Sequence, residues 1–118
     1  MRFPLPILIA GMIVLSSAPA VLAHHSLDAL YDPKQILTLT GTITKTDWSN
    51  PHVHFFFDVP DASRTVNWQV EMGSPNAQIL SGWKIDTLKT GDRVKVSLYR
   101  ARDGSNVGFA RKVTKVGP

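Results

Sequence analysis

The four histidines of this 118-residue chain lie in two pairs, His24–His25 and His52–His54. Imidazole nitrogens bind transition metals and exchange protons near neutral pH, so these pairs are the first candidates for a chemical site. The chain contains no cysteine. A metal site would therefore use imidazole, carboxylate or thioether side chains, or the terminal amine.

The segment that precedes the first pair is typical of a secretory signal peptide. Arg2 supplies a positive start, and residues 3–15 form an apolar run. This run is short for a bilayer span, which needs about 20 apolar residues, and it contains two prolines. We therefore predict that residues 1–23 are cleaved, that the protein is exported to the periplasm, and that the mature chain does not span a membrane.

The cleavage position decides whether His24 is the N-terminal residue of the mature chain. Val21-Leu22-Ala23 has small residues at the −3 and −1 positions, which favours cleavage after Ala23 and a mature chain of residues 24–118. Ala18-Pro19-Ala20 also fits the rule, so cleavage after Ala20 remains open. In the first case His24 carries the free amine, and in the second it lies within a terminal arm.

A terminal His24 would offer two nitrogens, its amine and its ring, to one metal ion. With a third nitrogen from His52 or His54, the set is similar to a histidine brace, and His25 lies beside it as a helper. Nitrogen-rich tetragonal sites suit Cu(II), so copper is the expected cofactor, although nickel and zinc also fit such a site.

His52 and His54 are two residues apart, a spacing that places side chains on the same face of a strand. Both rings are therefore candidates for one ion or one ligand. Asp58 and Glu71 are outward carboxylates that would serve as oxygen ligands or would orient an imidazole. The alternatives are that the histidines are polar surface residues, or that the His52 ring bonds to carbonyls of its own turn.

The same strand face also suggests a binding module that uses no metal. Phe56, Asn67 and Gln69 would present one aromatic ring and two amides to a cell-envelope glycan, peptide or protein. The carboxylates of Asp58 and Glu71 and the predicted export both argue against nucleic acid as the ligand.

No arrangement of residues in the sequence predicts an enzyme. A Ser-His-Asp set, a pair of catalytic carboxylates and a glycine-rich phosphate loop are all missing from the sequence. We therefore expect a carrier, buffer or accessory protein, with copper-dependent oxidative activity as the alternative. The oligomeric state stays open. The charge is unevenly distributed, because residues 87–118 hold eight basic and two acidic residues. The basic residues would attract anions, or they would lie on solvated faces of strands.

Five segments alternate apolar and polar residues, as half-buried strands do. They cover residues 36–48, 52–59, 65–72, 88–99 (a turn and a strand) and 106–116. The predicted inward residues of the second, third and fourth segments are Val53, Phe55, Phe57, Val59, Val66, Trp68, Val70, Met72, Val94, Val96 and Leu98. Gly41 predicts a bend, and a phase slip predicts a bulge near residues 110–112.

A short helix is predicted between the third and fourth strands. Ser74 is a suitable N-cap, Pro75 fits the first helical position and Gly82 fits the C-terminal stop. Three strands, a helix and two strands predict a mainly β fold, a small five-stranded OB-like barrel over residues 37–118 with residues 24–36 as an N-terminal arm. An open sandwich of five or six strands is the alternative.

Six short motifs occur along the predicted mature chain in a fixed order. They are AHHS, WSNPH, GSPN, GW, LKTGD and DGSN. As a set they resemble a family of small exported bacterial proteins of unknown function. The resemblance implies an exported barrel-like domain, and it supplies no activity, substrate or catalytic residue.

Overall fold

The computed structural model describes residues 27–117, which contain five strands and one helix beyond an initial helical turn at residues 27–30. The strands are β1 (Tyr31–Asp47), β2 (His54–Asp61), β3 (Arg64–Glu71), β4 (Arg93–Ala101) and β5 (Val107–Lys115), and helix α1 is Pro75–Leu80. The predicted signal peptide, His24 and His25 lie outside the described residues.

The five strands close into a barrel in the order β1-β2-β3-β5-β4. β1 pairs with both β2 and β4, and the parallel pairing of β3 with β5 completes the ring. The helix lies between β3 and β4 in the chain. The predicted OB-like barrel is thus confirmed, and the alternative of an open sandwich is not the fold.

β1 begins earlier than the alternating pattern predicted. Tyr31 is already paired with Ala101, although the register shifts between Tyr31 and Ile36. Residues 31–36 of the predicted arm therefore belong to the sheet. The intervening Asp-Pro-Lys-Gln has no alternation of its own, so this part of the strand depends on its partner and was not visible in the local pattern.

The barrel core consists of the inward side chains of β1 to β4. Phe57, Val70 and Leu98 are fully buried, and Phe55 packs edge-on against Phe57 with ring centroids 5.6 Å apart. Every predicted inward residue is buried except Val66, which is partly buried. Fully burying each large side chain contributes about 1.5–3 kcal/mol, so strand alternation is the main source of the barrel's stability.

Two irregularities allow the sheet to close. Near Gly41, β1 changes its main partner from β4 to β2, and a Cβ at Gly41 would overlap the carbonyl of Asp58. A register shift between Ile43 and Lys45 follows directly. In β5 the register skips Arg111, which confirms the bulge predicted at residues 110–112.

Helix α1 begins and ends as the sequence predicted. The Ser74 hydroxyl accepts a hydrogen bond from the Ala77 amide at 3.1 Å, and Pro75 occupies the first turn. Gly82 follows the helix with a φ of +95°, a conformation that favours glycine. Within residues 27–117, no helix is long and apolar enough to cross a bilayer.

Candidate functional site

His52 lies in the turn that leads into β2, directly after the cis Asn50–Pro51 bond. Its Nδ1 is 2.9 Å from the carbonyl oxygen of Met72. A carbonyl can only accept, so Nδ1 carries the proton and donates. The neutral ring therefore has its lone pair at Nε2, the atom that is left for a metal ion or another ligand.

A carboxylate and a phenol extend this arrangement behind the His52 ring. Glu71 Oε1 lies 3.7 Å from His52 Nδ1. The Tyr31 hydroxyl donates a hydrogen bond to Glu71 Oε2. Tyr31 is buried, and this burial, followed by the bond to Glu71 and its negative charge, raises the pKa of the phenol above its ordinary value. The phenol thus stays protonated and holds Glu71 beside His52.

His54 has different neighbours from His52. It is the first residue of β2, pairs with Glu71 across the sheet, and lines a small crevice with Trp48 and Trp83. His52 precedes β2 by two residues, and its ring contacts the Met72 carbonyl. In the part of the chain that the structure describes, no three His, Asp or Glu side chains converge on one metal position.

Asp58 and Asn67 form a separate pair on the outer face of β2 and β3. Asn67 Nδ2 donates to Asp58 Oδ1 at 2.9 Å and to Thr44 Oγ1 at 3.2 Å. Asp58 is four residues from His54, which corresponds to about 13 Å along a strand. Asp58 is therefore not beside the histidines, whereas Glu71 is.

Phe56 occupies the middle of the same outer face. Lys45 Nζ lies 5.5 Å from the centre of its ring, and Gln69 is its register partner on β3. Phe56, Gln69 and Asn67 therefore lie in adjacent register positions on these two strands. The Phe56 ring already has a cation above it, and the Asn67 amide is already hydrogen bonded.

The segment that enters β1 is held against the barrel near Tyr31. Arg102 Nε donates to the Asp28 carbonyl at 2.6 Å, and the Arg102 amide donates to the Leu30 carbonyl at 2.9 Å. Leu27 and Tyr31 line one cavity of about 290 Å³, together with Asp28, Pro33, Tyr99 and Phe109. The first described residue thus lies near the tyrosine that contacts Glu71.

Sequence reasoning missed Tyr31 and the Met72 carbonyl. Tyr31 fell in the predicted arm, and its bond to Glu71 joins residues 40 positions apart. Met72 was predicted as core, and its side chain is indeed buried, while its main-chain oxygen binds His52. No local pattern announces either contact.

The sequence matches the model of a family of unknown function, DUF6152, over residues 11–111. The chain belongs to this family. No curated protein is significantly similar in sequence to this DUF6152 member. The family carries no assigned activity, so the site must be interpreted from its own chemistry.

Solved structures that resemble this DUF6152 chain are OB-fold proteins. Two crystal forms of the mitochondrial single-stranded DNA binding protein Rim1 from S. cerevisiae match with TM-scores of 0.53 and 10% identity. The matches cover 70% of this chain and 93% and 92% of the Rim1 chains. At this identity the likeness establishes the fold alone.

Proposed function

We propose that the protein is an exported, periplasmic metal-binding accessory protein that binds copper. In this proposal the amine and ring of a mature N-terminal His24 form a chelate, and His52 Nε2 supplies the third nitrogen. His25 lies beside the chelate, and His54 is the alternative third ligand. The protein would carry or buffer the metal and would not act as a catalyst.

The observation that carries this proposal is the orientation of the His52 ring. Metal-binding histidines usually donate their second ring N–H to a carbonyl or a carboxylate, which fixes the tautomer and the ring direction. His52 Nδ1 has the Met72 carbonyl at 2.9 Å and the Glu71 carboxylate at 3.7 Å. The ring is thus prepared to offer Nε2 before any ion binds.

The incomplete ligand set among residues 27–117 is consistent with a terminal chelate. One residue at the amine would add two nitrogens, and three nitrogen donors suit Cu(II). His24 is three residues before Leu27, and three extended residues span at most about 11 Å. Leu27 lines a cavity with Tyr31, whose hydroxyl contacts the carboxylate beside His52. The proposal requires His24 to reach His52 Nε2 across this span.

Two measurements on the exported protein test the proposal. Intact mass should give an N-terminus at His24, since a start at Val21 would remove the chelate. Copper should then be titrated into the mature protein and into a form that keeps residues 21–23 at its N-terminus. We expect this extension to weaken binding, because the free amine then lies three residues before His24 and no longer forms a chelate with its ring. Equal binding by both forms, or none by either, would reject the terminal chelate.

A second candidate function is a metal-free binding module, favoured by the OB-fold and by the position of Phe56. OB-folds bind oligonucleotides and oligosaccharides over the face of strands two and three. Here that face carries Phe56 beside Lys45 and Gln69. An envelope glycan, peptide or protein fits the face better than DNA, the ligand named for Rim1, because Asp58 and Glu71 make the face acidic.

Replacing the aromatic ring separates this candidate from the metal proposal. Phe56→Ala should abolish retention on immobilised envelope oligosaccharides or peptides while leaving copper affinity unchanged. If Phe56→Ala loses copper binding but is still retained on the oligosaccharides or peptides, Phe56 has no stacking role and the outer face is not a separate ligand site.

A further inference from the structure

A second surface, away from the histidines, lies on the outer side of β1, β4 and β5. Two rows of paired residues cross these strands: Thr38, Ser97 and Lys112 form one, and Thr40, Lys95 and Thr114 form the other. Each row joins hydroxyl groups to one ammonium group. We call these six residues, with Arg93 and Arg111, the basic face.

A shallow cavity of about 270 Å³ lies in the centre of the basic face. Its lining residues are Thr38, Lys95, Ser97, Lys112 and Thr114. Two ammonium groups and three hydroxyl groups are hydrogen-bond donors for oxyanions, and none of these side chains bears negative charge. The cavity therefore has the chemistry of a site for one phosphate group.

The charge around this cavity is of one sign. β4 and β5 together hold six basic residues and no acidic one. The nearest carboxylate in sequence, Asp92, lies 3.2 Å from Lys115, and the Lys89 amide and this lysine lower its pKa. Among residues 27–117, neither Lys95 nor Lys112 forms an ion pair. Their charges are available to an external anion.

The borders of the basic face distinguish between anionic partners. Ile36, paired with Tyr99 at one end, is 46% exposed, and Val116, bonded to Arg93 at the other, is 38% exposed. Arg111 covers the Tyr99 ring at 5.3 Å. Single-stranded nucleic acid needs open aromatic rings for stacking. A bilayer surface needs basic groups for headgroups and apolar side chains beside them.

From this combination we infer that the basic face docks on a membrane surface rich in anionic phospholipids. One lipid phosphate occupies the cavity between Lys95 and Lys112. Arg93 and Arg111 contact neighbouring headgroups, and Ile36 and Val116 contact the interface at the two borders. The protein associates peripherally, through a face that leaves the histidine region free.

Vesicle sedimentation of the exported protein tests this inference. The vesicles contain phosphatidylcholine either alone or mixed with phosphatidylglycerol. The double variant Lys95→Gln/Lys112→Gln is compared with Lys45→Gln/Lys84→Gln, which removes the same charge from other surfaces. We expect binding only to the anionic vesicles and a loss of about 30-fold for the first variant, because each lysine near a lipid surface contributes about 1 kcal/mol.

The control variant should bind like the unchanged protein, and added salt should weaken binding in both. All forms share one N-terminus, so any contribution from that end cancels. Equal binding to neutral vesicles, or an equal loss in both variants, would overturn the inference. Tighter binding of a single-stranded oligonucleotide than of anionic vesicles, with the same dependence on Lys95 and Lys112, would assign the face to nucleic acid instead. Circular dichroism confirms that each variant is folded.

Discussion

The hydroxyl of Tyr31, the first residue of β1, donates a hydrogen bond to the carboxylate of Glu71, the last residue of β3. The bond connects the N-terminal end of the barrel to the carboxylate beside His52. Within residues 27–117 the bond relates the predicted arm to the strand histidines, and five predictions concern this bond, its neighbours and the barrel that holds them.

Removing the Tyr31 hydroxyl should destabilise the fold. Tyr31→Phe keeps the ring, which packs 5.7 Å from the ring of Phe109, and removes the bond to Glu71. We expect a loss of about 1–2 kcal/mol in the free energy of unfolding at pH 7, as for hydrogen bonds to charged groups. The matched control, Tyr99→Phe, should change stability less. The free energies come from urea denaturation.

The same variant should change the pH dependence of stability. The raised Tyr31 pKa means that the folded state favours the neutral phenol. Its contribution is therefore complete below the ordinary tyrosine pKa of about 10 and is lost as pH rises above it. The unchanged protein should lose stability more steeply than Tyr31→Phe above about pH 10. Parallel curves would show that Tyr31 does not titrate with unfolding.

Copper affinity should depend on His52 more than on His54. His52 is oriented by the Met72 carbonyl, while His54 lies toward the crevice with Trp48. We expect His52→Ala to weaken copper binding by about 100-fold and His54→Ala by less than about threefold, since even residues behind a ligand contribute 10–100-fold. Titration calorimetry of the mature protein gives both values. A larger loss for His54→Ala would make His54 the third ligand.

The carboxylate behind His52 should tune the affinity. Glu71→Gln keeps an acceptor for Tyr31 and removes the charge near Nδ1, so copper binding should weaken about tenfold. Asp58→Asn removes the same charge from the pair with Asn67 and should leave copper binding unchanged. If both variants bind copper equally well, the charge of Glu71 does not affect copper binding by the His52 ring.

The bend in β1 should tolerate only glycine. In Gly41→Ala the new methyl group would overlap the carbonyl of Asp58. Overpacking of this kind costs about 1–3 kcal/mol, and here main chain must move, so we expect at least the upper value. Gly117→Ala meets no atom within 4 Å and is the control. Thermal denaturation measures both, and an unchanged midpoint for Gly41→Ala would show that the strands can separate at this point.

The secondary structure could be predicted because its signals are local. Alternation exposed one face of each strand, Ser74 and Gly82 marked the ends of the helix, and the phase slip at residues 110–112 marked the bulge. Such patterns depend on neighbouring residues in the chain. The order of elements then restricted the fold to an OB-like barrel.

The arrangement of the candidate site could be predicted from the sequence only in part. The spacing of His52 and His54 suggested one shared face, and only the tertiary structure showed that the His52 ring donates to the Met72 carbonyl. Asp58 and Glu71 looked alike as outward carboxylates, and only the register showed that one binds Asn67 and the other lies beside His52.

By itself, then, the sequence determined which residues face the core, where the helix lies and which side chains have metal or ligand chemistry. Tertiary structure decided how these side chains are grouped. The Tyr31–Glu71 bond and the rows of the basic face join positions that are distant in the chain. Contacts of this kind depend on barrel closure and strand register, which no short window of sequence contains.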